Sequence, residues 1–200
     1  IIFEALNISA KKEISFPDFS VNKNDIFVIY GESGTGKSTL LKILTGLLPS
    51  KSGKIKIDNS EGYLNFNGFI SQDCFLFDDT ILFNITFSDE NNIDQKKLKK
   101  AIDLSNLGEL INQKSDFLSY RVGENGSKLS GGQKQRVCFA RSIYNDADIF
   151  LFDEPTSALD EKNVEIFIDS IKKINENGAT ILIVTHNNEI ISRFKNRIQL

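Results

Sequence analysis

Residues 25–48, DIFVIYGESGTGKSTLLKILTGLL, pass without a break from an apolar run, through a cluster of small residues, into a segment with regularly spaced leucines. Ile26 to Tyr30 show no alternation of apolar and polar side chains, the pattern of a strand covered on both faces. Leu40, Leu44 and Leu47 recur at three- to four-residue spacing and the pattern stops near Pro49, so a helix extending to about residue 48 is expected. A buried strand, a glycine-rich turn and a helix in that order place the chain among α/β folds.

Working outward, ADIFLFDEP (147–155) and ATILIVTH (179–186) repeat the unbroken apolar pattern, and each closes on polar residues. Together the three runs predict a mostly parallel sheet. GKIKID (53–58) alternates isoleucine with lysine and predicts a half-exposed strand. The region between about 80 and 144 differs in kind. QKKLKKAIDLSNLGELI (95–111) reads as an amphipathic helix, and SKLSGGQKQRVCFARSIY (127–144) starts another whose Val137, Ala140 and Tyr144 share a face. SDENNIDQ (88–95) reads as a loop.

The composition narrows the function classes. The chain has 200 residues, 40% hydrophobic, enough for one domain with a substantial core. A formal net charge of -3 argues against a nucleic-acid partner, which needs a clustered excess of Lys and Arg. The lysines at 96, 97, 99 and 100 read as a solvated helix face. Cys74 and Cys138 stand far apart in unlike contexts and are expected to be unpaired, small buried hydrophobes rather than a disulfide or a zinc site. No apolar run reaches the length of a membrane span. A chain that lacks methionine and begins Ile1-Ile2-Phe3 is expected to be part of a longer one.

GESGTGKS (31–38) fits G-x-x-x-x-G-K-[ST] between a strand and a helix. Gly31, Gly34 and Gly36 let successive backbone N–H groups converge on phosphate oxygens, at the positive end of the following helix. Lys37 would reach the β and γ phosphates, and the Ser38 hydroxyl would join a Mg²⁺ shell. Asp153 and Glu154 close a buried strand at its carboxyl end and point to opposite sides. Asp153 suits metal binding through water, and Glu154 suits polarising the water that attacks the γ phosphate. His186 ends the third strand at the same edge, within the expected reach of that phosphate. Gln72, in FISQD, could bring its carboxamide to the Mg²⁺ and sense the phosphate.

These residues, in this order, resemble the nucleotide-binding domain of an ATP-binding cassette (ABC) transporter. GESGTGKS resembles the Walker A loop, ISQD (70–73) the Q-loop, LSGGQ (129–133) the family signature, IFLFDE (149–154) Walker B, SALD (157–160) the D-loop and TH (185–186) the H-loop. The resemblance implies ATP and Mg²⁺ as ligands. It adds Glu32, Ser33, Thr35 and Thr39 to the nucleotide-binding loop, and Asp160 to the nucleotide site. It also implies a P-loop NTPase core with an N-terminal antiparallel β subdomain and an inserted α-helical subdomain. The expected division is one domain over 1–200, with a core of 1–75 and 145–200, an insert at about 76–144, and further strand and helix after Leu200.

Head-to-tail pairing with a second such domain, a copy or a paralogue, is implied as well. Ser130, Gly131, Gly132 and Gln133 would then close over the nucleotide of the other subunit. VGENG (122–126) and FLFDDTILFNI (75–85) resemble exporter-type stretches, which implies a transmembrane domain fused on the N-terminal side and a place at the cytoplasmic face of a membrane. Glu124 and its glycines would face that domain. The alternative is a soluble ABC ATPase in translation or DNA maintenance; the short, globular stretch between Walker A and signature speaks against the DNA-maintenance form, and VGENG against the translation-associated one. One departure concerns adenine: no aromatic residue follows the first strand, where Ala10, Lys11 and Lys12 stand, and Phe3 and Phe16 are the substitutes.

Overall fold

The computed structural model describes residues 3–10, 15–58, 60–64, 66–113, 116–157 and 159–200. The first half of the chain runs through β1 (Phe3–Ser9), β2 (Phe19–Val21), β3 (Ile26–Tyr30), α1 (Lys37–Leu44), β4 (Ser52–Ile57), β5 (Ser60–Glu61) and β6 (Phe69–Ile70). The helices α2 (Ile81–Thr86), α3 (Gln95–Leu104), α4 (Gly108–Gln113) and α5 (Gly131–Tyr144) follow. The last part contributes β7 (Ile149–Asp153), α6 (Glu161–Glu176), β8 (Thr180–Thr185), α7 (Asn188–Arg193) and β9 (Arg197–Gln199).

Two sheets form, as the α/β reading with its antiparallel N-terminal part predicts. β6-β7-β8-β3-β9 make a parallel sheet, and β2-β1-β4-β5 an antiparallel one. The register of the parallel sheet sets Tyr30 beside Thr185 and Asp153 beside Val184, so β3, β7 and β8 end at one edge.

The missing alternation in the three apolar runs has a direct cause. Val28, Phe150, Phe152, Ile181 and Ile183 enter one core, shared with Ile85 of α2, Phe139 of α5 and Phe167 of α6. Their neighbours Phe27, Ile29, Leu151, Leu182 and Val184 enter a second core with Leu40 and Leu44 of α1 and Ile55 of β4. Each strand is apolar throughout because both faces are covered.

Thr80 caps α2, its hydroxyl accepting from Phe83 N at 3.0 Å, and Asp94 caps α3. In α5, Val137, Ala140 and Tyr144 are buried as their spacing predicts, and the Tyr144 hydroxyl accepts from Asp94 N at 3.1 Å.

Several expectations need correction. The segment 95–111 is two helices, broken where Asn106 takes a φ of 55°. That break lets the Asn106 amide donate to Ser170 Oγ of α6 at 2.8 Å. Helix α1 ends at Leu44 rather than near 48, because Gly46 turns at φ 75°, leaving Leu47 and Leu48 exposed. Cys74 and Cys138 are not separate hydrophobes: packing of α5 against the loop after β6 joins them as a disulfide, with Cα atoms 6.5 Å apart. Phe16 is buried in the second core and has no face for adenine, while the Phe3 side chain and Lys11 and Lys12 fall outside the described residues.

Candidate active site

The turn after β3 is shaped by its glycines. Gly34 and Gly36 hold φ of 90° and 95°, and Gly36 is the N-cap of α1, a left-handed position that a side chain would strain. Lys37 opens α1 and folds back, so that Nζ donates to Gly31 O at 3.0 Å and Glu32 O at 2.8 Å. The same ammonium lies 3.8 Å from Glu154 Oε1. Thr35 Oγ1 donates to Glu32 O at 3.1 Å, bracing the turn, while Glu32 and Ser33 are exposed and Thr39 is half-buried.

Across the edge, Ser38 Oγ donates to Asp153 Oδ1 at 2.7 Å. Burial pushes the Asp153 carboxyl above the usual carboxylate range, against the lowering effect of that hydrogen bond, and the neighbouring Glu154 charge adds to the rise. A hydroxyl and a partly desolvated carboxylate converging at the end of a strand form an all-oxygen donor set. That set suits a hard cation such as Mg²⁺, which commonly takes one or two protein oxygens and fills its shell with water and substrate phosphate.

Glu154 follows β7 at φ 50°, unusual for a residue with a side chain, and its N–H donates to Val184 O at 2.9 Å. This bend aims the carboxylate along the edge. His186 Nδ1 donates to Glu154 Oε2 at 2.9 Å, and His186 N reaches the same oxygen at 3.3 Å. Gln72 is exposed after β6, its Nε2 3.5 Å from Ser157 Oγ. With Glu154, Gly131 and Ser157 it lines a cleft of about 200 Å³. Lys37, Glu154 and His186 therefore form one ion-paired chain, Ser38 and Asp153 a hydrogen-bonded pair at the same edge of the sheet, and Gln72 lines the cleft beside Glu154.

The start of α5 lines the same cleft through Gly131. Ser130 Oγ accepts from Gln133 N at 3.3 Å, and Gln133 Oε1 accepts from Ser130 N at 3.0 Å, a reciprocal cap. Ser130 and Gly131 are exposed, and among the described residues no hydrogen bond joins 130–133 to 31–39. At Gly132 a Cβ would come within 3.3 Å of Leu159 Cδ2, a tight contact that the leucine would have to yield to. Asp160 is the N-cap of α6, accepting from Asn163 N at 2.9 Å and Asn163 Nδ2 at 2.8 Å. Those bonds hold its carboxyl below the ordinary range.

Sequence reasoning missed three supports. Ser157 meets Gln72, and Gln135 Nε2 donates to Pro155 O, tying α5 to the turn after Glu154. Arg141 of α5 donates to Asn84 O at 2.7 Å and Phe75 O at 2.9 Å and lies 4.7 Å over the Phe87 ring. Burial pulls its guanidinium down to about 10. The only signal for Arg141 is a cation on an otherwise apolar helix face.

Comparison with known proteins agrees with this edge. The ABC transporter family profile matches residues 15–157. The ATP-dependent lipid A-core flippase of Coxiella burnetii is 35% identical over 199 residues, covering 94% of this chain and 33% of that protein. The protein of the same description from Ralstonia nicotianae is 34% identical over 181 residues, covering 84% of this chain and 30% of that protein. The chain thus spans about a third of the length of these relatives. A bacterial Atm1-family ABC exporter solved with ATP bound superposes over 100% of this chain and 37% of its own, with a TM-score of 0.86 and 26% identity. The fold, the phosphate-loop geometry and the profile match converge: the chain belongs to the ABC transporter family.

Proposed function

We propose that this chain is the ATP-binding and ATP-hydrolysing part of a membrane exporter or flippase. The observation that carries the reading is the gathering at one edge of the parallel sheet of the Lys37–Glu154–His186 chain and the Ser38–Asp153 pair. Phosphate oxygens take the place of Gly31 O and Glu32 O around Lys37 Nζ, and backbone N–H groups of residues 31–39 surround the rest. Ser38 and Asp153, joined by Gln72, would hold Mg²⁺, which would supply positive charge to offset that of the phosphates. Glu154 accepts the proton of the attacking water, and His186 holds the carboxylate in place.

The exposed cap at Ser130 completes the site in trans. Its hydroxyl keeps a proton to donate, and the N–H groups of Gly131 and Gly132 open a 14-residue helix whose positive end favours an anion. A second copy or a paralogue supplies the facing nucleotide, with Asp160 near the joint. Relatives described as flippases and an exporter as structural neighbour support a membrane role. A groove of about 410 Å³ beside Phe75, Phe87 and Arg141 offers a docking place for a transmembrane domain, fused on the N-terminal side, which would set this chain at the cytoplasmic face.

The full-length protein carrying Glu154→Gln tests the chemistry. ATP binding should persist while hydrolysis falls by roughly 10²- to 10⁴-fold, the range for losing a general base. Turnover at the wild-type rate would remove Glu154 from that role.

A further inference from the structure

Cys74 and Cys138 are placed where a covalent link would matter. Cys74 lies two residues after Gln72, and Cys138 lies two turns into α5, beyond the Ser130 cap. Their Cα separation of 6.5 Å falls inside the range a disulfide spans, about 4.4–6.8 Å. Both sulfurs border the 410 Å³ groove, whose wall also contains Arg141. Cys74 in addition borders the 200 Å³ cleft shared by Gln72 and Glu154. The link therefore stands in the partition between the groove and the catalytic cleft.

The chemistry at this partition is that of a reversible couple. Cys74 is half-buried and within reach of a small reagent, whereas Cys138 is 3% exposed and less accessible. The thiolate is the reactive form of a cysteine in such exchange. The Cys74 thiolate attacks one sulfur of a low-molecular-weight disulfide such as glutathione disulfide and releases one glutathione thiolate. Cys138 then attacks the Cys74 sulfur of the mixed disulfide and releases the second. Two protons leave the cysteines, the pair loses two electrons, and glutathione disulfide gains them.

We propose that Cys74 and Cys138 form a redox switch: oxidised, they fasten the Gln72 loop to the signature-bearing helix and suppress ATP turnover, and reduced, they let the loop follow the γ phosphate. This rests on the ATPase reading given above. A bridge that favours the nucleotide-free arrangement must, by linkage, be disfavoured by nucleotide to the same extent.

Two measurements on the full-length protein separate the two ideas. In the first, hydrolysis is followed after glutathione disulfide or dithiothreitol, with the bridge scored by a maleimide-polyethylene glycol mobility shift. Oxidation should lower the rate about five- to tenfold and dithiothreitol should restore it, a change within the usual range of coupling. Cys74→Ser and Cys138→Ser proteins should each have a rate that does not respond to the oxidant, and the more exposed Cys74→Ser serves if the buried substitution prevents folding.

In the second, Glu154→Gln protein is equilibrated in a glutathione redox buffer with and without saturating MgATP. The ratio of bridged to reduced protein should fall about fivefold or more with nucleotide. No bridge in glutathione disulfide, a bridge that changes neither rate nor ATP response, or equal inhibition of the serine proteins would overturn the switch. Absence of hydrolysis in the reduced wild type would instead count against the ATPase reading, and the second measurement would still decide the switch.

Discussion

Lys37 is buried, its ammonium donating to two carbonyls and lying beside the Glu154 carboxylate. Phosphate replaces neutral acceptors with charged ones, and Lys37→Ala should weaken MgATP affinity by about 10- to 100-fold, the worth of charge-assisted bonds. Titration with a fluorescent nucleotide checks this, and an unchanged affinity would contradict it. Asp160 supplies a pH test. Its carboxyl is depressed by the Asn163 bonds, so its contribution to stability is present above the ordinary Asp value and lost as pH falls through the folded one. Asp160→Asn keeps an oxygen acceptor but cannot take up that proton. The melting-temperature lead of wild type over the variant should therefore shrink between about pH 5 and about pH 2; a constant difference would show that the charge adds nothing.

The residues of this edge differ in how far they could be read from sequence. Gly31 to Ser38 announce themselves because the phosphate loop is a local device whose donors all lie within eight positions. Gln72 was legible as a candidate, but its partner Ser157 lies 85 residues away and only folding pairs them. The capping role of Asp160 was written in the sequence as an acid three residues before Asn163 at the start of a helix, and the D-loop resemblance drew attention past it.

Among the elements, β3, β7 and β8 were readable because burial on both faces leaves an unbroken apolar run. Phe152 shows how much rests on one such position: it is fully buried between the rings of Phe139 and Phe167. Phe152→Ala should cost about 3–5 kcal/mol through lost contacts and a remaining cavity, measured by urea unfolding of the ligand-free protein. A loss well under that range would mean the three rings collapse around the gap. The α3–α4 break was not readable, since leucines and isoleucines keep helical spacing across it. The turn at Asn106 comes with a tertiary bond from that residue to α6, which no local pattern announces. The Cys74–Cys138 pairing was hidden for the same reason, a separation of 64 residues closed only by the packing of α5.

For the whole molecule, the proposed pairing makes the exposed cap at Ser130 and the buried Lys37 two halves of one site, and among the described residues no hydrogen bond joins 130–133 to 31–39 within the chain. Ser130→Arg, placed in the Glu154→Gln background, should abolish the ATP-dependent association of the two nucleotide sites while leaving nucleotide affinity within about twofold, because Ser130 makes no hydrogen bond to residues 31–39 of its own chain. Light scattering, or crosslinking between the two sites in the full-length protein, with parallel nucleotide titration reads both. Association at the wild-type level would place the signature elsewhere than in the joint.

Arg141 gives this arrangement a mechanical meaning. Eleven residues of continuous helix separate it from Ser130, about 16 Å of rigid rod. At its far end the guanidinium is bolted to Asn84 and Phe75 by hydrogen bonds and to Phe87 by its face. The far end of the rod is thereby fixed to the aromatic segment 75–87. A tilt of about 10° at the cap sweeps its other end by roughly 3 Å over that length, so a push at the nucleotide joint arrives at the groove as displacement rather than being absorbed in side-chain rearrangement.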